Sequence, residues 1–178
     1  MSKKVLVIST SPRKGGNSEQ LADACIRGAQ EAGNQVEKIT LYDKTIGFCK
    51  GCLACINTQR CVIRDDADTI VQKMLTADVI VFATPIYYYG MCGQMKTLLE
   101  RANPLYSADY SFRDIYMLAA AAEEEESIVD GAVTGLEGWI VCFEKARLAG
   151  TVFAGGVTSV GEVEGHPALK QAYELGAS

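Results

Sequence analysis

The sequence predicts an α/β domain: a doubly wound, five-stranded parallel sheet with helices on both faces. Two observations lead there. Short apolar runs rich in Val and Ile recur along the chain, and each is followed by a segment of helical periodicity. Strands that alternate with helices pair in parallel through right-handed crossovers. The length of 178 residues suits one domain over 1–178, with no repeat or linker dividing it.

The first run, "KVLVIST" (4–10), has the continuous apolar character of a strand buried on both faces. "SEQLADACIRGAQEAG" follows from Ser18 and places Leu21, Ala24, Cys25, Gly28 and Ala32 on one side, a helix that Gly33 ends. "QVEKITL" (35–41) alternates as a second strand, and "DDADTIVQKMLTA" (65–77) opens with acidic residues as a second helix. "DVIVFAT" (78–84) is the third strand and "GQMKTLLERA" (93–102) the third helix. "DIYMLAAAA" (114–122) is the fourth strand, and a long Gly-interrupted helix covers 127–149. "TVFAGGVTSV" (151–160) is the fifth strand, and a final helix over 166–176 has Pro167 in its first turn. Five β-α units of this length fit a flavodoxin-like sheet of order 2-1-3-4-5, whose ligands bind at the carboxyl ends of strands 1 and 3.

A net charge of −5 argues against nucleic acid or an anionic membrane as the main partner. The start, "MSKKVLVIST", is too short in its apolar run for a signal peptide, and no run reaches the roughly 20 residues a membrane helix needs. The expectation is a cytoplasmic protein. In that compartment seven cysteines point to metal ligation or redox chemistry rather than a disulfide framework.

The loop after the first strand, "STSPRKGGNSE" (9–19), is neither G-x-G-x-x-G nor a Walker A sequence. It offers hydroxyls, Asn17, Arg13 and two glycines just before a helix N-terminus, a set suited to a phosphate. The plainer alternative is a polar βα turn with Ser18 as N-cap. The loop after the third strand, "TPIYYYGMCGQMK" (84–96), carries three consecutive tyrosines flanked by Pro85, Gly90 and Gly93. A planar aromatic cofactor with a phosphate tail would occupy both loops. The alternative is a subunit contact, where tyrosine is enriched.

Together, "SPRKGGNS" and "TPIYYYGMCGQMKTLLER" resemble the NADPH-dependent FMN reductase family of flavodoxin-like proteins. The resemblance implies that Ser9, Ser11, Arg13, Asn17 and Ser18 hold the FMN phosphate. It implies that Pro85, Ile86, Tyr87, Tyr88 and Gly90 line the isoalloxazine and ribityl chain. It further implies an FMN-dependent oxidoreductase assembled as a homodimer or homotetramer, in which NAD(P)H as co-substrate reduces FMN and an acceptor reoxidises it. The chemistry is the flavin's, so no side chain is assigned a catalytic role.

"FCKGCLACINTQRC" (48–61) lies in a cysteine-rich loop over 47–63 and places Cys49, Cys52, Cys55 and Cys61 at spacing C-x2-C-x2-C-x5-C. Zinc sites usually use two separated knuckles. The tight run is closer to [4Fe-4S] ligation, although the usual bacterial run ends C-x3-C-P. Lys50, Arg60 and Arg64 would offset thiolate charge. The spacing matches the iron–sulfur flavoprotein branch of the family, which implies a [4Fe-4S] cluster passing electrons to FMN. A dithiol pair and a non-redox module with structural zinc are the other readings. Cys25 and Cys142 fall in helical patterns as buried small hydrophobes. The "EEEE" run (123–126) is expected at a solvated helix start near the cofactor edge, where it would repel a polyanionic dinucleotide and favour a ferredoxin-type donor. His166 is expected to be structural at a helix start, and Trp139 to lie in the core or an interface. Asp65 and Asp66 are expected to start a helix without a catalytic role.

Overall fold

The computed structural model describes residues 2–178. Six strands are β1 (Lys4–Ser9), β2 (Gln35–Thr40), β3 (Val79–Tyr87), β4 (Gly90–Met91), β5 (Asp114–Ala120) and β6 (Arg147–Ala154). Helices are α1 (Asn17–Glu31), α2 (Cys55–Thr58), α3 (Asp66–Thr76), α4 (Gly93–Arg101), α5 (Asp130–Ile140) and α6 (Pro167–Ala177), with 3-10 turns at Asn103–Ser107 and Glu126–Val129. The long strands lie in the order β2-β1-β3-β5-β6, all parallel, while β4 pairs antiparallel with the end of β3. Leaving aside the two-residue β4, this is the flavodoxin-like order 2-1-3-4-5.

Side-chain alternation explains the two layers. In β1, Leu6 and Ile8 join Ile80 and Phe82 of β3 in a core under α3, α4 and α5. Val5 and Val7 join Val79 and Val81 in the opposite core under α1 and α6. Each fully buried side chain of this kind stabilises the fold by about 1.5–3 kcal/mol. α1 and α6 meet backbone to backbone: a Cβ on Gly28 would sit 2.0 Å from the Tyr173 carbonyl oxygen, and one on Gly176 would sit 2.0 Å from that of Cys25.

Four readings are corrected. β3 runs on to Tyr87, because Ile86 and Tyr87 find partners in Met91 and Gly90 of a hairpin. The single helix expected over 127–149 is a 3-10 turn followed by α5, which ends at Ile140. There the chain turns so that Phe143 can pack against Trp139, Phe112 and Tyr110, with ring centroids 4.6, 5.3 and 5.2 Å away. The last strand therefore begins at Arg147 rather than 151 and ends at Ala154, and 155–160 are loop. Finally, Ser18 is not the N-cap of α1; Gly16 holds that position and Ser18 lies in the first turn. No helix among the described residues is long and apolar enough to cross a membrane.

Candidate functional site

A cleft of about 320 Å³ opens at the carboxyl ends of β1, β3, β5 and β6. Its polar wall comes from Ser11, Arg13, Asn17 and Ser18, between the end of β1 and the first turn of α1. The Ser11 hydroxyl donates to the Arg13 carbonyl (3.0 Å) and accepts from the Arg13 amide (3.1 Å), which curls the loop. Gly15 adopts φ +67°, and its amide donates to Glu19 Oε2 at 2.6 Å. Glu19 is buried, and Lys38 of β2 offsets its charge at 2.9 Å while also reaching Asp23 at 2.6 Å. Burial works to lower the Lys38 pKa, but bonds to Asp23 and Glu19 outweigh it, and the ammonium titrates above its ordinary value.

Three observations make this wall a fit for a phosphate. The Ser18 hydroxyl is buried with no hydrogen-bond partner among the described residues, a condition that costs roughly 1–3 kcal/mol unless a ligand relieves it. The N-terminus of the 15-residue α1 adds unpaired amides and the positive end of its dipole. Arg13 donates through Nη1 to the Thr158 carbonyl (3.0 Å), one of the five N–H groups its guanidinium carries. Asn17 is more committed. Its Nδ2 donates to the Ser159 carbonyl (2.9 Å), and its Oδ1 accepts from the amides of Gly161 (3.2 Å) and Val163 (3.3 Å). It thus ties down the loop after β6 as well as lining the cleft.

The opposite wall is Pro85, Ile86 and Tyr87 at the end of β3, with Tyr88 and Tyr89 beyond them. Tyr88 (φ +49°) and Tyr89 (φ +63°) are the two loop residues of the β3–β4 hairpin, both left-handed. That is the geometry of a type I′ turn, which favours Asn-Gly. Non-glycine residues held there store of order 1–3 kcal/mol each. The tip is braced from behind by α5, where a Cβ on Gly131 would come within 2.1 Å of the Tyr89 carbonyl oxygen. Tyr88 is fully solvent-exposed at the cleft mouth.

Of the ten residues expected to hold a cofactor, eight line this cleft. Ser9 stays buried within β1, its carbonyl accepting from the Leu41 amide (2.9 Å), and Gly90 pairs with Tyr87 in the hairpin. A third wall was not foreseen as such: Ala120–Glu123 and Ile128 beyond β5, and Val157 and Thr158 beyond β6. Its alanines carry no chemistry a motif could flag, and only the rule that ligands gather at strand carboxyl ends points to it. Glu123 does bring the acidic run to the cleft edge, as expected.

The cysteine loop lies apart from the cleft walls. Cys49, Cys52, Cys55 and Cys61 line one cavity of about 410 Å³, together with Arg101 and Asn103. Asn103 donates to Cys55 Sγ at 3.1 Å, and the Gly51 amide to Cys49 Sγ at 3.5 Å. Arg60 (2.5 Å) and Arg64 (3.0 Å) both reach Asp68, whose pKa falls through the Arg60 bond despite burial. Among the described residues no three metal-ligating side chains converge at bonding distance.

The family model described as NADPH-dependent FMN reductase matches residues 3–136. The chain belongs to that family. Its curated relatives include an iron-sulfur flavoprotein of Methanocaldococcus jannaschii, 40% identical over 57% of this chain and 53% of the relative. Another is an iron-sulfur flavoprotein of Archaeoglobus fulgidus, 37% identical over 57% of this chain and 46% of the relative. The matched stretch thus spans about half the length of these relatives. Solved structures share the fold: an NAD(P)H:quinone oxidoreductase from Methanothermobacter marburgensis superimposes with a TM-score of 0.78 at 16% identity, covering 99% of this chain and 96% of that one. An azoreductase from Bacillus anthracis gives 0.74 at 18% identity, covering 99% of both.

His166, Asp65 and the other cysteines lie outside the cleft walls. His166 caps α6, its Nδ1 accepting from the Ala168 amide (3.1 Å), and Asp65 caps α3 through the Ala67 amide (3.1 Å). Cys25 is a buried small hydrophobe whose thiol burial pushes up to about 11. Cys142 is exposed, against expectation, because it falls in the turn that releases α5. Cys92 is buried beside Thr10, 3.2 Å from both its hydroxyl and its carbonyl oxygen.

Proposed function

We propose that the strand-end cleft binds FMN and that the protein is an FMN-dependent oxidoreductase, moving electrons from a reduced nicotinamide to an acceptor. The observation that carries this reading is the unpartnered, buried Ser18 hydroxyl beside Arg13 and the α1 N-terminus, facing a wall of Ile86 and tyrosines across one cleft. Membership of the NADPH-dependent FMN reductase family supports it. Ser11, Ser18 and Arg13 would hold the phosphate, with Asn17 keeping the neighbouring loop in place. Pro85, Ile86, Tyr87 and Tyr88 would bound the isoalloxazine and ribityl chain and shield one side from water. Bound FMN would supply hydride acceptance and onward electron transfer. The test is an FMN titration followed by anaerobic mixing with NADH and with NADPH. A chain that binds no FMN ends the reading, and one whose flavin neither nicotinamide reduces loses its donor.

A second reading is that of an iron–sulfur flavoprotein with a [4Fe-4S] cluster in the cysteine cavity, fed by a ferredoxin-type protein. The four cysteines that line one cavity, with N–H donors directed at two of their sulfurs, favour it. The names of the curated relatives support it. Cys49, Cys52, Cys55 and Cys61 would be the ligands, and thiolate ligation sets such a cluster's potential together with hydrogen bonds to sulfur. Anaerobic reconstitution with iron and sulfide assays should give about four irons per chain; a chain that takes up only zinc would point to the structural module. We propose a cytoplasmic protein, and a homodimer or homotetramer whose assembly the exposed tyrosines of the hairpin support; sedimentation velocity measures the assembly.

A further inference from the structure

Arg101, in the last turn of α4, is 1% exposed and is among the largest fully buried side chains of the molecule. Its Nη1 donates to the Gly47 carbonyl (2.7 Å) and to Asp65 Oδ2 (2.6 Å). Its Nη2 donates to the Ile63 carbonyl (3.0 Å) and to Asp65 Oδ1 (2.9 Å). Asp65 Oδ2 accepts in turn from the Gly47 amide at 2.8 Å. One guanidinium–carboxylate pair therefore satisfies both backbone groups of Gly47 and the carbonyl of Ile63. These are the first and last residues of the cysteine loop.

Within the loop little else is buried. α2, its one helix, has no buried residue. Phe48, Leu53, Ile56 and Val62 all face solvent. The remaining ties are polar and near the surface, such as Gln59 to the Ser107 carbonyl (2.9 Å) and Arg60 to Asp68. A loop without an apolar anchor takes its shape from whatever fixes its ends.

We infer that Arg101 and Asp65 are the positioning pair of the cysteine loop: they close residues 47–63 at the base and so turn its four thiols toward one cavity. Arg101 lines that cavity too. Four acceptors in two directions require a planar fork, which a lysine ammonium does not supply. The statement about loop geometry rests on these contacts alone; its consequence for metal uptake rests on the second reading above.

The test compares the full chain with Arg101→Lys and Asp65→Asn by hydrogen-exchange mass spectrometry, and by anaerobic titration with Co²⁺ alone, followed by thiolate-to-cobalt charge-transfer absorption. In Arg101→Lys, amides between 48 and 62 should exchange about tenfold faster or more, as expected for losing bonds from a charged group. Amides of β1 and β3 should stay within about twofold. Cobalt affinity should fall about 10–100-fold, the usual effect of disturbing groups that orient metal ligands. Asp65→Asn, which keeps an acceptor but leaves the buried guanidinium without its counter-charge, should give the same pattern more strongly, and whichever of the two variants folds serves for the test. Unchanged loop exchange in a folded variant overturns the inference. So does acceleration shared equally by the loop and the sheet, which would mark the pair as a general stabiliser. A wild-type chain with no cobalt bands shows only that the four thiols do not converge on a single ion and leaves the cluster reading to iron and sulfide reconstitution, and the exchange ratio then decides the positioning role by the same two criteria.

Discussion

The strand-end cleft takes its shape from the sheet, whereas the cysteine cavity takes its shape from one buried ion pair. Every wall of the cleft continues from the carboxyl end of a parallel strand, so its loops inherit fixed starting points and directions. The cysteine loop leaves β2 and returns at α3 across more than twenty residues, with only a four-residue helix between. The contrast teaches where tolerance to change should lie. The cleft should be sensitive to side chains at its polar wall and to steric bracing of its hairpin. The cavity should be sensitive to charge at its base.

The largest effect we expect that would separate the two is Arg13→Ala. Losing bonds between a guanidinium and a phosphate should weaken FMN binding by about 10–100-fold. Riboflavin, which lacks the phosphate, should bind as before, and exchange of the 47–63 amides should not move; fluorescence titration and exchange measure each. Next comes Gly131→Ala. The added methyl would collide with the Tyr89 carbonyl oxygen, so thermal unfolding should register a loss of about 1–3 kcal/mol, with weaker FMN binding and unaltered thiol reactivity at Cys49 and Cys52.

A smaller effect of opposite sign should come from replacing Tyr88-Tyr89 by Asn-Gly, the preferred type I′ pair. Relief of left-handed strain should raise stability by roughly 1 kcal/mol while weakening FMN binding, the mark of a hairpin shaped for a ligand. If stability falls instead, the tyrosines contribute packing that the exposed geometry hides. The smallest effect should be acid loosening of the cysteine loop. Burial works to raise Asp65, but the Arg101 fork and the Gly47 amide outweigh it and hold the carboxyl below its ordinary value. Asp68 is lowered by its bond to Arg60. For a depressed carboxylate the contribution is complete above the unfolded value of about 3.9 and is lost as pH falls through the lower folded value. Exchange at 48–62, corrected for intrinsic rate, should therefore accelerate below about pH 4 before the β1 and β3 amides follow.

Much of this architecture was legible in the residues. The Val/Ile runs of β1 and β3 are continuous because both faces are covered, and that continuity announces a parallel sheet. The polar loop after β1 and the tyrosine loop after β3 pointed to the same edge, and eight of their named residues meet there. What escaped was whatever depends on distant contacts. The glycines of 127–149 allow a long helix locally, yet the aromatic cluster around Phe143 ends it at Ile140. One reading of Ser18 is a cap, but Gly16 takes the position and leaves the Ser18 hydroxyl buried without a partner among the described residues. Arg101 reads as an ordinary cation at a helix C-terminus, and only tertiary structure reveals that its partner is 36 residues upstream.

That separation constrains the order in which the molecule forms. A guanidinium does not shed its charge at any accessible pH, and burying it alone costs several kcal/mol. α4 can therefore settle against the sheet only as Asp65 arrives with it, so helix docking and closure of the cysteine loop belong to one cooperative step. In zinc fingers the metal drives folding. Here the sheet and α4 would come first, and any metal would be loaded into a chain already folded.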